Sequence, residues 1–177
     1  MSAAGVVHAG AVVSPEEGET TRPVAAGALL IGVGLGGFVD GIVFHQILQL
    51  HNMLSAKIKP NTVVNVEVNM FWDGLFHAFC WVSVAAGLAV LWNAVLTPRV
   101  AKRTGTLLGG LLAGFGLFNL VEGVIDHHIL HLHHVVEGPG HLPYDFAFLA
   151  SGAALLAAGV LLVRKSSVRV APGAAGG

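Results

Sequence analysis

The chain has 177 residues, of which 54% are hydrophobic and only 11% are charged. Soluble domains carry about 25% charged residues, and a soluble core of this size cannot hide so much apolar surface, so we expect the lipid bilayer to be the main partner. The net charge of −1 and the lack of a basic stripe in the sequence argue against a nucleic-acid partner. A single cysteine, Cys80, rules out an intrachain disulfide framework and a multi-cysteine metal site.

Four long apolar segments predict transmembrane helices. They run over about residues 24–54, 68–96, 104–136 and 144–163. Each is long enough to cross a hydrocarbon core of roughly 30 Å, which takes about 20 helical residues. Because the first and third segments are longer than that, we expect them to tilt or to project past the hydrocarbon. The sequence therefore predicts an all-α, polytopic membrane protein built as a four-helix transmembrane bundle.

The predicted organisation has four parts. They are a disordered cytoplasmic tail (1–22), a first transmembrane hairpin (23–97), a second transmembrane hairpin (98–165) and a flexible tail (166–177). Lysine and arginine favour cytoplasmic loops. Seven of the nine basic residues fall on the side of the two termini, and only Lys57 and Lys59 fall on the other side. We therefore expect both termini to be cytoplasmic and the first and third loops to face outward.

Two segments of the chain repeat each other. GFVDGIVFHQILQLHN (37–52) and NLVEGVIDHHILHLHH (119–134) match at a constant offset of 82 residues. The matched pairs are Asp40 with Glu122, His45 with His127, His51 with His133 and, more weakly in the second and fourth segments, Asp73 with Asp145. The pattern predicts a duplicated helical hairpin, a parallel repeat about an axis along the membrane normal. Glycines four residues apart predict that the first and third helices pack closely near that axis.

Acidic residues lie inside the apolar segments without lysine or arginine beside them. The five acids are Asp40, Asp73, Glu122, Asp126 and Asp145. A carboxylate at the bilayer centre costs at least ~2.5 kcal/mol on insertion scales. Protons, protonated histidines or a metal ion must therefore balance these charges. The rise of a helix places the acids and the nearby histidines at about one level, toward the outer face.

These residue types favour a transition-metal site. Asp73 and His77 are four residues apart, a spacing at which one helix can offer two ligands to one ion. Imidazole with carboxylate suits zinc, iron, manganese or copper(II), and we expect copper, iron or zinc. The predicted metal ligands are His45, Asp73, His77, His127, Asp126, Glu122, Asp40, His51 and His133. The ion is expected between helices one, two and three.

The remaining histidines receive a plainer interpretation. A continuous third helix would align His127, His131 and His134 on one face. Near the outer end of that helix, at least some of His128, His131 and His134 are expected to contact water or headgroups. His141 is expected to be an ordinary loop residue.

The motifs GFVDGIVFHQILQLH, DGLFHAF and GLFNLVEGVIDHHILHLHHV resemble those of the bacterial membrane-protein family known as domain of unknown function 2243. The resemblance covers about residues 25–165. It implies a polytopic protein of the bacterial inner membrane. It implies neither an activity nor any catalytic residues.

Three functions compete. The first is a membrane metal-binding protein, either an accessory or metal-handling subunit of an oxidase- or oxygenase-type complex or itself a non-haem metal-dependent oxidoreductase. Other membrane subunits or a second copy of the chain would then be further partners. The second is a haem protein in which His45 and His127 ligate the iron from both sides. The third is a proton-coupled transporter or ion path that uses the carboxylates and histidines as a relay.

Overall fold

The computed structural model describes residues 20–167, and the predicted tails lie outside them apart from 20–22 and 166–167. The described chain is helical, with one isolated bridge between Thr20 and Val100. Its elements are α1 (Arg22–Phe38), a first π-helix (Val39–Ile47), α2 (Val63–Leu96), α3 (Thr104–Glu122), a second π-helix (Gly123–Ile129) and α4 (Leu142–Ser167). Each π-helix continues directly from the α-helix before it.

Four helical runs are long and apolar enough to cross a membrane. They are Arg22–Ile47, Val63–Leu96, Thr104–Ile129 and Leu142–Ser167, with 26, 34, 26 and 26 residues. All four exceed the roughly 20 residues that a crossing requires. The prediction of an all-α membrane protein with four spanning helices is therefore confirmed.

The first and third helices end earlier than the sequence predicts. Helix ends at Ile47 and Ile129 replace the predicted ends at residues 54 and 136, so the predicted ends of these two helices were wrong. Gln49 and His131 adopt positive φ angles of 52° and 48°. This left-handed backbone cannot continue a right-handed helix, so the chain turns back at both places.

The four helices pack around a central pair. α1 packs against α2 and α3, and α3 also packs against α4, so α2 and α4 flank the pair on either side. A Cβ atom added at Gly32 would overlap the carbonyl oxygen of Leu111, and one at Gly114 would overlap that of Leu29. Only glycine allows two helix backbones to approach this closely. The predicted packing of the first and third helices is confirmed.

The two ends of the bundle differ in chemistry. The loops 48–62 and 130–141 meet at one end, here called the His-rich end, where Ala56 N–H donates to the carbonyl of Leu132 at 3.0 Å. At the opposite end, the hydroxyls of Thr21 and Ser167 lie 2.7 Å apart. The described chain therefore begins and finishes at one end and carries its histidine-bearing loops at the other.

Local contacts match at the offset of the sequence repeat. Leu48 N–H donates to the carbonyl of Val43, and Leu130 N–H donates in the same way to that of Ile125, both at 2.8 Å. The two left-handed residues, 49 and 131, are likewise 82 positions apart. These matches support the duplication, which itself stays a prediction.

Candidate metal centre

Each π-helix brings a histidine onto a carboxylate five residues earlier in the chain. A π-helix bonds residue i to residue i+5, whereas in an α-helix residues five apart point about 140° away from each other. His45 Nε2 consequently lies 2.9 Å from Asp40 Oδ2. His127 and Glu122 have the same spacing at the second π-helix and belong to one group of convergent ligand atoms.

The turns after the π-helices return two more histidines to the same place. His51 Nε2 lies 3.6 Å from Asp40 Oδ1, and His133 Nε2 lies 3.4 Å from Glu122 Oε1. The rings of His51 and His133 stack with centroids 4.7 Å apart and an interplanar angle of 5°. On the longer helices expected from the sequence, both residues would lie beyond the level of Asp40 and Glu122. They reach the acids because the helices end and the chain reverses.

Two further carboxylates, Asp73 and Asp145, lie beside the Nδ1 atoms of His45 and His127. Asp73 Oδ1 accepts a hydrogen bond from His45 Nδ1 at 2.9 Å. Asp73 is fixed in turn by the backbone N–H of Met53 at 2.8 Å and the side-chain amide of Asn52 at 3.0 Å. In the second half of the chain, Asp145 Oδ1 lies 3.4 Å from His127 Nδ1. Asp73, a predicted metal ligand, is thus placed behind His45.

The two stacked histidines are held by the loop of the other hairpin. His51 Nδ1 donates to the carbonyl of Val135 at 2.9 Å, and His133 Nδ1 donates to the carbonyl of Met53 at 3.1 Å. A carbonyl oxygen can only accept, so each Nδ1 carries the proton. In the neutral ring, Nε2 then keeps a free lone pair that faces the cluster.

The pKa of the His133 imidazole is lowered to about 3, mainly by burial and in smaller part by the neighbouring His51. His133 lies in the loop between the third and fourth spans. Its ring is therefore neutral at physiological pH. A neutral imidazole is the form that binds metal ions.

The inward-facing atoms of the cluster are buried and lack hydrogen-bond partners. They are Asp40 Oδ2, His45 Nε2, His51 Nε2, Glu122 Oε1 and Oε2, His127 Nε2 and His133 Nε2. Buried polar atoms are almost always hydrogen-bonded, so a convergent set without partners requires an explanation. Cations bound among these atoms would satisfy them.

These atoms form two overlapping groups that share His133. One group is Asp40, His45, His51 and His133, and the other is Glu122, His127 and His133. Within each group the ligand atoms lie within 4.8 Å of one another. At the repeat offset, each half of the chain contributes two imidazoles and one carboxylate, the donor set typical of non-haem iron sites.

Besides Asp73, two predicted ligands are not brought into either group. The buried His77 Nε2 has no hydrogen-bond partner, and its ring packs near Phe38 and Phe76. It also packs against Gly41, where a Cβ atom would overlap the ring. Asp126 lines an apolar cavity between α2 and α3, beside Glu122.

A third group was missed by the sequence interpretation. His134, His141 and Asp145 bring one ligand atom each within 4.8 Å. The i, i+4 spacing of His141 and Asp145 at the start of α4 was a usable signal, equivalent to that of Asp73 and His77. The expected helical face of His127, His131 and His134 was wrong, because the helix ends at Ile129.

No curated protein and no solved structure matches the chain. A family model described as a predicted membrane protein matches residues 26–166, which include both histidine motifs and nearly all of the four spans. The chain therefore belongs to the family of predicted membrane proteins called DUF2243.

Proposed function

We propose that this protein binds two transition-metal ions between α1 and α3. One ion is held by Asp40, His45 and His51, and the other by Glu122, His127 and His133. The observation that carries this proposal is the set of buried, inward-facing nitrogen and oxygen atoms without hydrogen-bond partners. Three of the four imidazoles also donate a hydrogen bond through Nδ1, as metal-bound histidines do.

The charges of the cluster support a cation. Asp40 and Glu122 lie close enough to interact, and both are at least 96% buried. The spans carry lysine and arginine only at residues 22, 164 and 165, at the end opposite the cluster. His45 Nε2 and Asp40 Oδ2 lie 2.9 Å apart without the alignment of a hydrogen bond. Two ligands on one ion have this arrangement, because both point at the ion.

The donor set restricts the ion. Nitrogen and carboxylate oxygen ligands suit iron, zinc, manganese or copper(II), whereas copper(I) prefers sulfur. Cys80 is buried and belongs to none of the groups of ligand atoms. Of the metals expected from the sequence, iron and zinc are therefore the best fit, and copper fits as copper(II).

The physiological role that we propose is metal handling or oxygen-type chemistry within a membrane complex. Three protein ligands per ion leave coordination positions open for a further ligand. The protein would serve as an accessory or metal-handling subunit, or as a non-haem oxidoreductase, in the bacterial inner membrane. The distribution of lysine and arginine supports cytoplasmic termini, with the His-rich end facing outward.

The haem alternative has weaker support. His133 lies between the two proposed axial ligands, with its ring centroid 5.7 Å from that of His45 and 4.9 Å from that of His127. His51 stacks against His133 in the same space. A planar macrocycle would have to displace both rings. A Soret band in the absorption spectrum of the purified protein would favour haem over the two-ion centre.

The proton-path alternative also has weaker support. The acidic residues and histidines of the four spans cluster toward the His-rich end, and α1 has no ionisable side chain between Arg22 and Asp40. α3 has none before Glu122. A relay along these residues would therefore stop about halfway across the membrane.

Elemental analysis of the detergent-purified protein tests the proposal. We expect two equivalents of metal per chain in the wild type and at most one in His45→Ala and in His127→Ala. His128→Ala is the matched control, because the Nδ1 atom of His128 bonds the carbonyl of Gly123 and the residue belongs to no ligand group. We expect it to keep both ions. A wild type that holds no metal after purification and after reconstitution with iron or zinc would contradict the proposal.

A further inference from the structure

A second type of histidine site lies beside the proposed centre. The Nδ1 atoms of His134 and His141 both donate to Asp145 Oδ2, at 2.8 and 2.9 Å. The two rings stack with centroids 3.7 Å apart. The side chain of His141 is 25% exposed, whereas that of Asp145 is 1% exposed. Two imidazoles and a carboxylate therefore converge at a place that solvent reaches.

The first half of the chain carries asparagine at the two positions that correspond to His134 and His141. Asp73, the counterpart of Asp145, accepts its hydrogen bond from Asn52, which stands 82 positions before His134. Asn69 stands 72 positions before His141, at the offset that relates Asp73 to Asp145. Asp73 is held by His45 Nδ1, the Asn52 amide and the backbone N–H of Met53, and needs no counterpart of His134 or His141. Histidine adds what an amide lacks, an affinity for transition-metal ions.

The third group is continuous with the buried centre. Asp145 uses its other oxygen, Oδ1, to accept from the backbone N–H of Val135 at 3.0 Å and to face His127 Nδ1 at 3.4 Å. From the surface inward, ring centroids are separated by 3.7 Å (His141 to His134), 6.3 Å (His134 to His127) and 4.9 Å (His127 to His133). These steps are short enough for an ion to exchange one ligand at a time.

We propose that His134, His141 and Asp145 form a loading site that captures a divalent transition-metal ion at the His-rich end and passes it to the buried centre. This inference rests on the proposed function, since the ion needs a destination. The loading site binds more weakly than the centre, because an ion there must displace two hydrogen bonds to Asp145 and remains partly hydrated. It sets the rate of uptake and leaves the final amount of bound metal unchanged.

Cobalt(II) uptake by the metal-free full chain in detergent tests this, with absorbance in the visible range followed by stopped flow. The test variant is His134→Asn with His141→Asn, which gives the second half the residues of the first half. His141→Asn alone is a milder variant that leaves the His134 hydrogen bond to Asp145 intact. His131→Asn is the control, because His131 lies in the same loop, is exposed and belongs to no ligand group.

We expect the double variant to load at least tenfold more slowly than the wild type and to reach the same final cobalt content. Removal of cobalt by EDTA should slow by the same factor, because a change in rate alone leaves the equilibrium unaltered. The control should match the wild type. Two results for the double variant would overturn the loading site without contradicting the buried centre. One is loading at the wild-type rate, and the other is a loss of final cobalt content. A wild type that takes up no cobalt would overturn both proposals.

Discussion

Three of the four imidazoles of the candidate centre are held through one nitrogen and left free at the other. For His45, the hydrogen bond to Asp73 fixes the tautomer and the ring orientation and leaves the Nε2 lone pair, 2.9 Å from Asp40 Oδ2, without a hydrogen-bond partner. The negative charge of Asp73 also makes the ring a stronger electron donor to a metal. The affinity of the site for an ion therefore depends on groups that do not touch it.

Asp73→Asn is expected to lower metal affinity by about 10- to 100-fold, the usual effect of losing such a supporting carboxylate. An amide at position 73 can still accept from His45 Nδ1 but lacks the charge. The dissociation constant is measured by competition with a chelator of known affinity. Glu67→Gln is the control, since it removes an exposed carboxylate from the same helix. Equal affinities for Asp73→Asn and the control would contradict the role given to Asp73.

The sequence indicated most of the clustered residues but not their roles. Asp40, His45, His51 and their repeat partners stood out because acids and histidines recur in apolar segments without basic residues. Whether an acid faces the cluster or lies behind a histidine depends on the π-helical register. A projection of the sequence onto an α-helix, at 100° per residue, cannot show that register. His134 and His141 were not predicted to be ligands because Asn52 and Asn69 stand at their counterpart positions, so the repeat gave no signal there.

At the scale of whole elements, the contact between α1 and α3 positions both halves of the site. Each π-helix extends one member of this central pair, so a shift between α1 and α3 changes the distance between Asp40 and Glu122. Gly114 and Gly32 face each other across the contact, where an added Cβ atom would overlap backbone. The glycines thus set the distance between the two ligand sets.

Gly114→Ala is expected to destabilise the protein by about 1–3 kcal/mol, the usual cost of overpacking, and to weaken metal binding. Its Cβ atom would overlap the carbonyl oxygen of Leu29, and backbone cannot move aside as a side chain can. Gly74→Ala is the matched control, because a Cβ atom there meets nothing within 4 Å. Unfolding of both variants in increasing SDS, with wild type alongside, measures the difference. Equal stability of the two variants would contradict the close contact.

The helix ends could not be found from hydrophobicity. Residues 48–54 and 130–136 contain leucines and valines that continue the apolar pattern, and no glycine or proline marks a stop. The chain stops because Gln49 and His131 adopt left-handed backbone, which non-glycine residues seldom do. Such strained positions are maintained by the contacts that surround them, and those contacts join segments that are distant in sequence.

Over the whole molecule, charge is arranged by end. The basic residues of the loop 97–103 and the described chain ends lie at one end, and the loops that carry the histidines lie at the other. Under the positive-inside rule this asymmetry gives the protein one orientation in the membrane.

Cysteine labelling of intact cells tests that orientation. Asn61→Cys in the first loop is expected to react with a membrane-impermeant maleimide added outside, whereas Lys102→Cys in the second loop is expected to react only after permeabilisation. Both positions are exposed, and the native Cys80 is fully buried, so the background is low. Labelling of Lys102→Cys and not Asn61→Cys in intact cells would reverse the proposed orientation.

The crossed hydrogen bonds of the stacked histidines have a consequence for biogenesis. His51 depends on the carbonyl of Val135, and His133 depends on the carbonyl of Met53, so each hairpin completes the histidine of the other. During synthesis the first hairpin emerges about 80 residues before its counterpart and holds its ligands unsupported until then. If the centre binds metal as proposed, capture waits until the loop 130–141 has reached the His-rich end, and a bound ion would show that the two halves of the site have met.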